Sequence, residues 1–241
     1  MKFQEIVSPS LKDLFVRQIE TMILQGSLQA GEKLPNEREL AKQMKVSRSI
    51  INNGMQELAD KAFIRIVPRQ GAYVEDYIRN GNINTLVALV RNKGVNFDPR
   101  LLHSFIEFRR DLETTCAKSA AENRTPAQLT ELKEKVLVLK EAVQTEQFLD
   151  ESIAIHKLIF LATGNLVYPL IYNAFNEPLY VVTDQLLKLV EHSMIVENLS
   201  RIIEAIEQSD AEAAHTLMQH HVDICADILT EYYESLNGLR G

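Results

Sequence analysis

Cysteine is scarce in this chain: Cys116 and Cys225 are the only two in 241 residues, and they lie far apart. That excludes a disulfide framework and favours a reducing compartment. Long apolar runs are missing as well. The longest, Leu86–Val90 and Leu158–Ala162, are far too short to cross a bilayer, and Met1-Lys2-Phe3-Gln4-Glu5 leads into no apolar signal core. A cytoplasmic location with no membrane partner is the expectation. There are no paired Glu-x-x-His motifs, no His-Glu-x-x-His and no nucleophile motif, so an enzyme on a helical scaffold is the weaker expectation. Internal repeats and low-complexity tracts are also missing, and strand signals are rare beyond residue 84.

What is present is an uneven charge. The net charge is −7, yet residues 1–75 carry 11 Lys and Arg against 9 Asp and Glu, and residues 76–241 carry 15 against 24. A mildly basic head on an acidic second domain suits a DNA reader, although a net of +2 demands few and well-placed phosphate contacts, or doubling by dimerisation.

Residues 36–58 organise the head. Asn36 is placed to cap a helix, with Glu39 completing a capping box, and Leu40, Ala41 and Met44 share one face. After a tight turn at Met44–Val46, Ser47 caps a second helix whose Ile50, Ile51, Met55 and Leu58 repeat at helical spacing. Arg48, Ser49 and Asn52 then project outward, as a helix docked in a major groove requires. Upstream, Ser8-Pro9 is read as the cap of a first helix with an apolar stripe Leu11, Leu14, Phe15, Ile19, Met22 and Ile23 ending at Gly26. Downstream, Ile64, Ile66, Tyr73 and Val74 favour strands around a turn at Pro68–Gly71. Three helices and this hairpin make a winged helix-turn-helix over residues 1–75.

Residues 76–84 read as a polar linker, and residues 85–237 as an all-helical bundle, so the fold class is mostly α. The expected helices run from Asn84 to Gly94, from Asp98-Pro99 through Leu102, Phe105, Ile106, Arg109, Leu112 and Ala120, and from the Thr125-Pro126-Ala127-Gln128 cap to near Thr145. Others span about 150–163, 166–192 with a kink or break at Pro178, 194–208 and 211–236.

The run Gly26-x-Leu28-x-x-Gly31-x-x-Leu34-Pro35-x-Glu37-Arg38-Glu39-Leu40-Ala41, then Val46-Ser47-Arg48 and Gly71 before Val74, resembles the head of GntR-type transcriptional regulators. Glu107-x-Arg109-x-x-Leu112-Glu113 with Ala120-Ala121, His156 before Gly164-Asn165, and Asp210 through Ala214 and Met218 to His221 are similar to the FadR/FCD branch. The resemblance implies DNA contacts from Arg38, Ser47, Arg48, Ser49, Asn52, Gln70 and Gly71. Arg48 is the first candidate for reading guanine; the competing reading makes Arg38 and Arg48 plain solvated charges. Where such heads usually carry arginine, this chain has Asn52, suited to adenine N6 and N7, which implies an altered operator preference. Gly54 lowers helix propensity, and close packing is its simplest explanation.

For the second domain the resemblance implies an effector pocket at Arg109, His156, Asn165 and His221. Many such domains hold a divalent metal through an Asp four residues before a His and two further histidines 22 positions apart. Here Ser152 stands four before His156, and Leu199 stands 22 before His221. With half the ligands gone, no tightly bound metal or other cofactor is expected, and the effector is expected to be a small organic acid or related anion bound directly. Arg109 would hold its carboxylate bidentately or, equally, pair internally with Glu113 one turn on. Asn165 is either a ligand contact or a helix-end residue. The expected function is a ligand-responsive regulator, a repressor by preference, acting as a homodimer on a palindromic operator. A larger acyl-type ligand, a non-DNA-binding interaction module and a helical-bundle enzyme are the alternatives.

Overall fold

The computed structural model describes residues 9–93 and 99–238, which fall into two compact units, residues 1–92 and 93–241. In the first unit, α1 (Leu11–Leu24), α2 (Glu37–Met44) and α3 (Arg48–Asp60) are followed by β1 (Ile64–Val67) and β2 (Gly71–Val74), then α4 (Tyr77–Asn80) and α5 (Ile83–Lys93). The strands are antiparallel, with Ile64 opposite Val74 and Val67 opposite Gly71, and Lys33 adds an isolated bridge to Tyr73. This is the winged helix-turn-helix that the helix caps and strand pattern anticipate.

The caps explain the helix starts. Asn36 accepts from the Glu39 amide at 3.0 Å while the Glu39 carboxylate accepts from the Asn36 amide at 3.3 Å, closing the capping box of α2. Ser47 Oγ accepts from the Ile50 amide at 3.3 Å at the head of α3. At α1 the expectation is corrected: the cap is Ser10, whose hydroxyl and Asp13 form a reciprocal capping box, and Pro9 precedes it; Ser8 lies outside the described residues. Leu11 and Leu14 leave the expected core stripe and are exposed. Leu11 sits a turn before Phe15 at the open end of the helix, and Leu14 points about 100° away from Phe15. The core is Phe15, Val16, Ile19 and Ile23 of α1 against Ile51, Met55 and Leu58 of α3, closed by Leu34, Leu40, Phe63, Ile64 and Val74.

Two further expectations change. The wing turn occupies Pro68–Gln70, with Arg69 in the left-handed region (φ 63°), and Gly71 is already paired in β2. Residues 76–84 are also more than a linker. Asp76 caps the single turn α4, and the next helix is tied to the end of α3: the Asn82 amide group donates to the Asp60 carbonyl at 2.9 Å, and the Thr85 hydroxyl to the Lys61 carbonyl at 2.7 Å. These bonds, with Ala88 in the same core, draw α5 into the first unit rather than the second. Gly94, where the sequence places its end, lies outside the described residues.

The second unit is all helical among its described residues: α6 (Pro99–Asn123), α7 (Pro126–Glu141), α8 (Phe148–Ala162), α9 (Val167–Ala174), α10 (Asn176–Leu187), α11 (His192–Glu207) and α12 (Ala211–Gly238). The Asp98 cap expected for α6 lies outside the described residues. Thr125 and Gln128 form the capping box of α7, with Pro126 in its first turn; α7 ends at Glu141, one turn before Thr145. The break in the 166–192 stretch falls at Phe175, and Pro178 sits in the first turn of α10, where its missing N–H costs nothing. The long helices α6 and α12 pack most extensively on each other, over the buried small residues Ala117, Ala120, Ala121 and Ala214. Leu132, Leu139, Ile155, Ile159, Leu199, Ile202 and Ile206 fill the rest of the core.

Candidate functional site

Two sites follow from this scaffold. In the first unit a groove of about 700 Å³ opens between the start of α2, the start of α3 and the wing, lined by Lys33, Asn36, Glu37, Arg38, Arg48, Gln70 and Gly71 among others. Four of the seven residues expected to meet DNA therefore share one groove: Arg38, Arg48, Gln70 and Gly71. Ser47, Ser49 and Asn52 are exposed on the first turn and a half of α3 beside it. Arg38 and Arg48 are exposed, and among the described residues neither has a protein ion pair, so both cations remain open to an anionic partner. Ser47 accepts one hydrogen bond in the cap and keeps its hydroxyl hydrogen to donate.

Two residues that sequence reasoning passed over complete this groove. Glu37 Oε1 accepts a hydrogen bond from Asn52 Nδ2 at 2.9 Å. Lys33 passes under the wing, close enough that a Cβ on Gly71 (φ 114°) would lie 3.2 Å from its Cε, and its ammonium stands 5.9 Å from the Tyr73 ring centroid. A lysine immediately before Leu34-Pro35 carried no signal of its own; the groove appears only once wing and α2 are folded together.

In the second unit, α6, α8 and α12 bury a polar cluster in an otherwise apolar core: Arg109, Glu113, His156 and His221, each below a tenth exposed. Arg109 Nε donates to Glu113 Oε1 at 2.7 Å, one helical turn along α6. His156 Nδ1 lies 3.2 Å from Glu113 Oε2 but out of hydrogen-bond alignment. Those two atoms and His221 Nδ1 are buried without a hydrogen bond among the described residues. The His156 and His221 rings stand 5.5 Å apart.

Burial would raise the Glu113 carboxyl, but the Arg109 charge and then His156 outweigh it and hold the group below the usual carboxylate range. Burial, reinforced by His156, pushes His221 down to about 3, so its ring is neutral at physiological pH. Arg109 stays charged because Glu113 offsets its desolvation. Both cysteines are buried thiols pushed up to about 12, which removes them as thiolate nucleophiles.

Asn165 is not brought into this cluster. It is exposed just before α9, where its side-chain oxygen accepts from the Val167 amide at 2.7 Å. The vacated metal-ligand positions are filled by Ser152 and Leu199, both buried, and among the described residues no three His, Cys, Asp or Glu side chains converge for a metal ion. Two imidazoles beside a guanidinium, with the nearby carboxylate already paired to it, do not fit a divalent ion.

Comparison with known proteins agrees with this geometry. Residues 13–74 match the family described as "Bacterial regulatory proteins, gntR family", and residues 104–224 match the FCD domain. The HTH-type transcriptional repressor NanR of Citrobacter rodentium is 23% identical over 231 residues, covering 92% of this chain and 86% of the relative. The HTH-type transcriptional regulator Mce2R of Mycobacterium tuberculosis is 27% identical over 179 residues, covering 73% of this chain and 72% of the relative. A solved structure described in the words "Lar controls the expression of the Listeria monocytogenes agr system and mediates virulence" superposes with a TM-score of 0.62 over 96% of this chain and 100% of its own, at 14% identity, a likeness of fold. With a DNA-reading head and an effector-type helical domain in one polypeptide, the chain belongs to the GntR family of bacterial transcription regulators, in its FCD branch, and is a regulator rather than an enzyme.

Proposed function

We propose that this regulator is a repressor whose helical unit binds a small carboxylate directly, without a metal, and releases DNA in response. The observation that carries the ligand class is the way Arg109 is held. Glu113 engages its Nε alone, and among the described residues no protein acceptor lies on the two terminal nitrogens. Those terminal nitrogens are the fork that pairs bidentately with a carboxylate. Glu113 therefore orients the guanidinium and leaves its recognition edge available. His156 and His221, buried with unpaired Nδ1 atoms, supply further polar contacts for a bound acid.

The repressor reading draws on the NanR relatives, which are named as repressors. A homodimer on a palindromic operator follows from one recognition helix reading one half-site. The ligand shifts the population of head arrangements by no more than its difference in affinity for them.

A thermal-shift screen of small mono- and dicarboxylates, followed by a mobility shift with the promoter beside the gene, tests this reading. A hit should stabilise the wild type, weaken its DNA complex, and do neither in Arg109→Ala. An effector whose action survives Arg109→Ala, or one that acts only with added divalent metal, would sink the assignment.

A further inference from the structure

Beside the two open cations of the DNA groove lies a carboxylate that pairs with neither. Glu37 lines the same groove as Arg38 and Arg48, yet among the described residues its hydrogen-bond partner is the amide of Asn52, at 2.9 Å. Glu37 is the first residue of α2, and Asn52 lies one turn beyond Arg48 on the exposed side of α3. Their contact is made across the turn between the two helices.

We infer that Glu37 is a specificity-determining residue that acts through Asn52, locking its amide to read adenine. The inference rests on the DNA-binding reading of this head. The chemistry of the two groups forces the orientation. An ionised carboxylate only accepts hydrogen bonds, so the amide nitrogen must face Glu37 and the amide oxygen must be turned away from it. What remains for DNA is one acceptor, Oδ1, and the second amide hydrogen. Adenine offers the matching pair in the major groove, the N6 donor and the N7 acceptor. Guanine offers two acceptors, O6 and N7, and one of them would meet the amide oxygen lone pair to lone pair. Rotating the amide half a turn does not relieve guanine, because the oxygen then opposes its other acceptor; in a free asparagine rotation instead exchanges donor and acceptor and forfeits the match to adenine. Rotation here would set the amide oxygen against the Glu37 carboxylate. Docking removes water from the pair, so the bias strengthens where base reading occurs. Glu37 itself is a positioning residue; it has no need to touch a base.

The test is selection from a pool of DNA duplexes randomised over about two helical turns, using purified full-length wild type, Asn52→Ala, Glu37→Ala and Glu37→Gln. Wild type should enrich adenine at one position of each half-site, and Asn52→Ala should flatten that position. Glu37→Ala should lower the enrichment of adenine over the other three bases there severalfold while leaving other positions intact. Glu37→Gln should lose the preference as well, because its amide can donate to a rotated Asn52 Oδ1 as readily as accept from Nδ2. The inference is overturned if Glu37→Ala leaves that position unchanged, acts at a different position from Asn52→Ala, or weakens all sequences evenly as a structural defect would. A Glu37→Gln protein that keeps the full wild-type preference overturns it too. A wild type that enriches no sequence overturns the DNA-binding reading, and this inference with it.

Discussion

A Cβ atom on Gly54 would lie 2.3 Å from Cδ1 of Phe15, far inside van der Waals contact, so α1 and α3 approach as closely as they do because residue 54 has no side chain. The glycine in the recognition helix is thereby explained by packing. Phe15 is itself buried in the close-packed core.

Gly54→Ala should therefore destabilise the first unit. Alanine gains about 1 kcal/mol of helix propensity, but overpacking a closed core typically costs about 1–3 kcal/mol. A net loss is expected, read as a lower denaturation midpoint. Adding Phe15→Leu should recover part of it, because the two sites share one contact. A more stable Gly54→Ala protein would contradict the packing account.

Arg38 and Arg48 both stand open in the groove, and they should separate in a salt titration of DNA binding. Arg38→Ala, removing a phosphate contact, should weaken all sequences and reduce the salt slope by about 1. Arg48→Ala should cost about 1–3 kcal/mol of discrimination at a single base position. Identical behaviour of the two variants would refute this division of roles.

Thr85 is buried, and its hydroxyl donates to the Lys61 carbonyl at 2.7 Å while accepting from the Asn82 amide at 2.8 Å. Thr85→Val keeps the volume and strands both backbone groups. The expected cost is about 1–3 kcal/mol, with faster amide exchange at Asn82 and at the end of α3. Unchanged exchange there would show that α5 is not anchored through this bond.

The second unit should be acid-labile in a direction set by His221. An unfolded histidine takes up its proton near pH 6.5, whereas the folded ring does so only at about 3. Between those values the unfolded chain binds more protons. Stability is thus complete above about pH 6.5 and falls as pH drops, by at most about 1.4 kcal/mol per unit. Glu113, held below its ordinary value, adds a loss of the same sign once pH falls below about 4.5. Urea unfolding of wild type and His221→Gln between pH 7.5 and 5 checks this: the variant should lose the slope between 6.5 and 5. A variant with the wild-type slope would place the titration elsewhere.

Much of the architecture was legible in local spacing. The capping boxes at Asn36–Glu39 and Thr125–Gln128 sit where they were expected, because a cap bonds residues three apart and needs no tertiary partner. The apolar periodicity of Ile51, Met55 and Leu58 likewise marks the buried face of α3. Less was legible where a segment's role depended on distant partners. Residues 76–84 look like a linker by composition, yet the hydrogen bonds of Asn82 and Thr85 to the end of α3 fasten them to the first unit. Asn165 stands in a motif that suggested a pocket, and folding leaves it exposed just before α9.

By itself, the sequence determined the element types, the winged head, the all-helical second unit and the family, since propensity, caps and motif spacing are properties of neighbouring residues. The tertiary structure alone decided which donors meet which acceptors. It set Glu37 against Asn52 across a helix turn. It placed Glu113 on the Nε of Arg109 and brought His156 to the same carboxylate from another helix. Such pairings depend on how closely helices approach and at what angle, and that is settled by packing details as small as the missing Cβ of Gly54.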